Sequence, residues 1–278
     1  MPVWRDIWNA VFGSVGMEAF FLHFFSPGLC VTAEYGGTPA AMGYLVPFGE
    51  LMLNTKPIPC SMIFSVATLQ EFRGKGLGTA VVRRLVELSR ELGFQVVVLC
   101  PSEDDLFEYY STRTELSDYF YVNETVFTNI PKTAETVLPT TVSVSEYKCI
   151  REYLLKDIVY IKHDIRTIEY QYELCKELGG GLFQVGDSCA VVERQSDSEV
   201  WVKELLTPDR KVKDLASDPT VKQVMASIAH LFPAEKYIIR SPANDDNGRR
   251  FGMLAFSDSD HSGQDSSDFK PWYGVAFD

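Results

Sequence analysis

One segment limits what this chain can fold into more than any other. It runs Val66-Ala67-Thr68-Leu69-Gln70-Glu71-Phe72-Arg73-Gly74-Lys75-Gly76-Leu77-Gly78-Thr79. A β-rich run ends, a basic glycine-rich turn follows, and an amphipathic helix starts at once. From Thr79 to Leu92 that helix places Val81, Leu85, Leu88 and Leu92 on one face and Arg83, Arg84, Glu87 and Arg90 on the other, with Gly93 as its stop. Val96–Cys100 is then almost wholly apolar, as expected of a strand covered on both faces. Strand, turn, helix and buried strand make one crossover of a mixed α/β sheet.

The turn suits a phosphate ligand. The first N–H groups of a helix have no intrahelical acceptor, and the helix dipole places partial positive charge there. Glycines let the backbone come close to a diphosphate. Two common phosphate loops do not fit: Gly74-Lys75 runs into another glycine rather than Ser or Thr, and Gly74, Gly76 and Gly78 alternate strictly instead of following Gly-x-Gly-x-x-Gly.

Charge makes this turn stand out. The 278 residues hold 26 Lys and Arg against 38 Asp and Glu, a net −12 with a pI near 4.9. Residues 1–140 hold 9 basic and 15 acidic side chains and the rest 17 and 23, so each half carries −6. That balance disfavours nucleic-acid and anionic-membrane partners. No apolar run approaches the roughly 20 residues of a membrane helix, and no signal peptide is visible after Met1. The six cysteines are scattered with no paired spacing, so reduced thiols, no metal site and a cytoplasmic location are expected.

Elsewhere the pattern predicts two aromatic-rich helices over Trp4–Phe25, broken at Gly13–Gly16. A hairpin is expected over Leu29–Tyr35 and Ala40–Pro47, with a third strand over Ser61–Thr68. A helix follows Pro101. Asn129–Ser145, rich in Thr, Pro and Ser, reads as a linker, which sets expected domains at 1–135 and 136–278. The second half predicts one or two helices over 146–178, strands near Leu182–Val185, Cys189–Glu193, Val200–Leu205 and Tyr237–Arg240, and a helix over Val221–Leu231. Residues 257–268 read as a loop; its Asp258, Asp260 and His261 lack the scaffold of a metal site. His23, His163 and His230 read as packing or surface residues rather than catalysts.

Arg73-Gly-Lys-Gly-Leu-Gly78 resembles the acetyl-CoA signature of the GNAT acyltransferases, Arg/Gln-x-x-Gly-x-Gly/Ala. The opening helices are similar to those of a bacterial subgroup with two such domains in tandem. The resemblance implies an α/β fold with a splayed mixed sheet flanked by helices, and a degenerate second unit. It implies that Val66, Ala67 and Thr68 pair with the pantetheine arm of acetyl-CoA. Arg73, Gly74, Lys75, Gly76, Leu77, Gly78 and Thr79 would hold its phosphates. The implied reaction is acetyl transfer to the amine of a small molecule or peptide. Tyr110 would serve as the acid that protonates the departing thiolate, while Tyr109, about 100° round the helix, faces elsewhere. The base is open: Glu18, Glu50, Asp118 and the terminal carboxylate at Asp278 are candidates. Thr114 and Glu115 stand where the family carries Gly-Phe. In the second half Val200–Leu205 runs into Thr207-Pro208-Asp209-Arg210, with no phosphate loop. These departures keep a second reading alive, a non-catalytic acyl-CoA-binding protein.

Overall fold

The computed structural model describes residues 3–53, 55–128, 130, 137–209, 215–244, 248–257 and 269–277. Asp278, Arg210, residues 258–268 and, of the expected linker, residues 129 and 131–136 lie outside them. The chain forms two compact units. One gathers the described residues of 1–52, 56–119 and 251–264, the other those of 53–55, 120–250 and 265–278.

The first unit opens with α1 (Val3–Phe12) and α2 (Met17–Phe24), divided by the expected glycine break. Their aromatic faces close over the sheet: Trp8 meets Phe20 at 5.0 Å and Phe64 at 5.9 Å, and Phe20 meets Tyr44 at 5.0 Å between ring centroids. The strands are β1 (Cys30–Tyr35), β2 (Thr38–Leu53), β3 (Lys56–Thr68) and β4 (Val96–Leu99). Helix α3 (Leu77–Glu91) joins β3 to β4, and α4 (Asp104–Arg113) follows. The sheet is completed by β12 (Arg249–Phe256), giving the order β1-β2-β3-β4-β12.

Strand β3 begins before the expected Ser61, although Pro57 and Pro59 lie in it. The Pro59 carbonyl accepts from Gln95 N–H at 3.0 Å, so the side with the missing N–H faces β4, which starts only at Val96. No ladder bond is lost there. Every residue of β4 is buried, between parallel β3 and antiparallel β12. Helix α3 buries Val81, Val82, Leu85 and Val86 against Ala41, Leu45, Ile63 and Val97, each aliphatic side chain being worth about 1.5–3 kcal/mol. Leu92, expected on that face, is half exposed because the helix has already ended at Glu91.

The close approach of α3 depends on Gly43 in β2. A Cβ there would lie 2.8 Å from Leu85 Cδ1 and 2.9 Å from Val81 Cγ1. Gly43→Ala is expected to destabilise the first unit by about 1–3 kcal/mol, measured by denaturant unfolding. Unchanged stability would mean that α3 shifts freely.

The second unit repeats the plan. Its helices α5 (Val144–Leu155) and α6 (Ile165–Glu177) flank β7 (Tyr160–His163), a strand absent from the helical reading of this region. Strands β8 (Gly181–Val185), β9 (Ser188–Arg194) and β10 (Glu199–Leu206) lead through α7 (Pro219–Leu231) to β11 (Lys236–Pro242). With β5 (Ser117–Thr128) and β6 (Thr140–Thr141) the order is β5-β11-β10-β9-β8-β6. In the first unit β3 and β4 pair in parallel from Cys60↔Val96 to Ile63↔Leu99. In the second β10 and β11 do so from Glu199↔Lys236 to Val202↔Ile239. Two units of one mixed, helix-flanked design are therefore built from interleaved stretches of the chain.

A buried polar cluster closes the second unit. Glu204 accepts from Tyr147 Oη at 2.7 Å, Arg151 Nε at 2.8 Å and Trp272 Nε1 at 2.6 Å. Burial, with the Glu204 charge added, pushes the Tyr147 hydroxyl well above its usual range. Gly274 (φ +85°) lies flush against the cluster, and a Cβ there would come within 2.3 Å of Arg151 Nη2. The segment after Phe269 is thereby packed as part of the unit's core: Trp272 and Tyr273 are fully buried.

Candidate functional site

The sequence-predicted residues Val66–Thr79 gather at one place in the first unit. Pairing of β3 with β4 stops at Ile63↔Leu99, yet β3 runs on from Phe64 to Thr68. Strand β4 ends at Leu99, so on that side β3 runs past its partner, and this stretch carries Val66, Ala67 and Thr68. Ser65 sits at φ +51°, a left-handed kink inside the strand that costs about 1–2 kcal/mol.

After Thr68 a 3-10 turn at Gln70–Phe72 leads into the glycines. Gly74 (φ +77°) and Gly76 (φ +78°) both adopt the left-handed conformation, and a Cβ on either would meet nothing within 4 Å. Open space thus adjoins the backbone where a ligand would need to approach. Gly76 is the N-cap of α3 and no side chain caps this end. The ladder begins with Ala80 N–H to Gly76 C=O at 3.0 Å, which leaves the N–H groups of Leu77, Gly78 and Thr79 ahead of it.

The cations of the turn are held by neighbours. Arg73 Nε donates to Thr68 C=O at 3.3 Å, folding the guanidinium back to the strand end. Lys75 Nζ lies 3.9 Å from the Tyr35 ring centroid and 5.1 Å from that of Phe72. The tip of the β1–β2 hairpin therefore supports the loop, a role for Tyr35 and Phe72 that only the fold reveals. An uncapped helix start, open glycines and two cations fit the diphosphate of a coenzyme A group. The free edge of β3 fits an extended amide-bearing arm.

The adjacent tyrosines of α4 part company. Tyr110 is 7% exposed and packs with Phe107, Val82, Leu85 and Val86. Burial, with Tyr109 adding a smaller effect, pushes its hydroxyl up to about 12, so it stays protonated over the physiological range. Tyr109 turns toward α3, where its hydroxyl lies 2.7 Å from Thr79 Oγ1. Sequence adjacency offers no signal for this difference beyond the helical angle between them.

The altered end of α4 is well made. Thr114 donates through its N–H and Oγ1 to Tyr110 C=O at 2.8 and 2.7 Å, and Leu116 N–H returns to Thr114 Oγ1 at 3.2 Å. Glu115 forms a two-pronged ion pair with Arg90 of α3, whose guanidinium holds the carboxyl below its usual range. Among the base candidates, Glu18 pairs with Arg5 across the two opening helices, Glu50 lies in β2 and Asp118 in β5. His163 is buried in β7 and His230 lies in the last turn of α7.

The second unit treats its equivalent helix differently. Helix α7 starts with Asp218, whose carboxylate accepts from Val221 N–H at 2.8 Å, and with Pro219, which has no N–H. This helix start already holds its own anion.

Residues 1–108 match the model of the acetyltransferase (GNAT) family. No curated protein matches the chain in sequence. Among solved structures, a GCN5-related N-acetyltransferase from Kribbella flavida is similar at 16% identity and TM-score 0.63, over 91% of this chain and 67% of that one. One from Anabaena variabilis shares 12% identity at TM-score 0.61, over 92% and 70%. A tandem GNAT protein from the clavulanic acid biosynthesis pathway shares 12% identity at TM-score 0.52, over 92% and 94%. At these identities the likeness is one of fold, and in all three cases it spans both units.

Proposed function

We propose, for a chain whose residues 1–108 belong to the GNAT acetyltransferase family, that it moves an acetyl group from acetyl-CoA to the amine of a small molecule or peptide. Acyl transfer is the chemistry of the family; acetyl-CoA as donor and an amine as acceptor are our reading. The uncapped start of α3, together with the stretch of β3 that runs past the end of β4, carries it. Acetyl-CoA bound there supplies the thioester. The N–H groups of Leu77, Gly78 and Thr79, with Arg73 and Lys75, hold its phosphates, and Val66, Ala67 and Thr68 orient its arm. Tyr110 protonates the departing sulfur. The acceptor must be a neutral amine, its proton passing to a carboxylate or to water. The second unit is a scaffold without a cofactor of its own, in keeping with the self-capped α7. A cytoplasmic setting agrees with six free thiols.

Free-thiol release from acetyl-CoA across a panel of amines tests this. Release with at least one amine is expected. Binding of acetyl-CoA with no release for any amine would favour the non-catalytic binding protein instead. Tyr110→Phe is expected to lower kcat about 10²-fold with CoA affinity kept. Because its hydroxyl is pushed up to about 12, kcat should show no fall due to this group between pH 8 and 10. An unchanged kcat in the variant would remove Tyr110 from the reaction.

A further inference from the structure

We propose that Tyr109 is a positioning residue for the cofactor's diphosphate: it donates to Thr79 Oγ1 and so turns the Thr79 proton toward the ligand at the start of α3. This rests on the cofactor site proposed above. The two oxygens are 2.7 Å apart, and Thr79 is the third residue of α3, in the turn whose N–H groups precede the ladder. Left alone, a threonine hydroxyl in a helix tends to turn back to the carbonyl of the preceding turn. Here Tyr109 occupies one of its lone pairs instead.

The direction of the hydrogen bond follows from the surroundings. A phenol is a better donor than an alkyl alcohol. The Arg113 guanidinium lies 4.6 Å over the Tyr109 ring and draws charge from it, which strengthens the O–H as a donor. With Thr79 Oγ1 as acceptor, its own proton is left for another partner. Tyr109 is also held in place, because Arg83 Nε of α3 donates to Arg113 C=O at 2.8 Å and ties the end of α4 to α3. Its hydroxyl lies 3.7 Å from where a Cβ on Gly78 would stand, beside the same turn. The residue thus sits behind the phosphate site, where it acts through Thr79.

Calorimetric titration with CoA, paired with turnover of acetyl-pantetheine, tests this. Acetyl-pantetheine has the thioester and arm but no diphosphate. Tyr109→Phe is expected to weaken CoA about tenfold and leave acetyl-pantetheine turnover unchanged. Thr79→Val should weaken CoA similarly, Thr79→Ser should retain affinity, and Tyr109→Phe added to Thr79→Val should cost nothing more. Unchanged CoA affinity in Tyr109→Phe would overturn the proposal. So would an equal loss with both ligands, which marks a simple pin between α3 and α4. Wild-type protein that binds no CoA would overturn the cofactor reading itself, and this inference with it.

Discussion

Gly76→Asp is expected to weaken CoA binding at least 100-fold while leaving the fold intact. The left-handed backbone at Gly76 excludes most side chains, but Asp is among the few residues that tolerate it. A Cβ there meets nothing within 4 Å, so the substitution creates no collision within the protein. Its carboxylate would stand at the uncapped start of α3, where the diphosphate is expected. It would compete for the N–H groups and repel the ligand. A hundredfold loss corresponds to about 2.7 kcal/mol. The variant would bring α3 closer to α7, whose Asp218 already holds the helix start. Calorimetry of CoA binding beside a thermal unfolding curve separates the two effects. Retained affinity in a folded variant would remove the phosphates from this turn.

The second large effect concerns stability. Glu204→Ala is expected to destabilise the second unit by about 3–5 kcal/mol, measured by denaturant unfolding. Arg151 and Glu204 are 1% and 0% exposed in their side chains, so removing the carboxylate leaves a buried, uncompensated cation. Tyr147 Oη and Trp272 Nε1 would lose their acceptor in the same step. The exposed pair Arg84–Glu91 provides the contrast, since solvent screens it and its removal should be nearly silent. A comparable small loss at Glu204 would mean that water reaches the cluster and the segment after Phe269 is held by packing alone.

The sequence made the strand–turn–helix–strand crossover legible because each of its parts is local. The hydrophobic period of α3, the glycines of the turn and the apolar run of β4 all lie within residues 66–100. What escaped depends on distant partners. β12 pairs with β4, as Met253↔Leu99 shows, from some 150 residues downstream; its apolar run Phe251–Phe256 is compatible with a strand, but only that distant pairing places it. The residues of β5 alternate only weakly between apolar and polar; its pairing with β11, Tyr237↔Phe127 among others, fixes it. β7 is only four residues long and lies between two helical patterns, so its sequence continues the periodicity of its neighbours. The candidate site divides in the same way. The phosphate turn could be read directly, whereas the support of Lys75 by Tyr35 and the bond from Tyr109 to Thr79 arise only when separate elements meet.

Titration of acetyl-CoA into the full chain tests the central claim most directly. The uncapped α3 and the self-capped α7 predict saturation at one molecule per chain. No binding, or two molecules per chain, would contradict it.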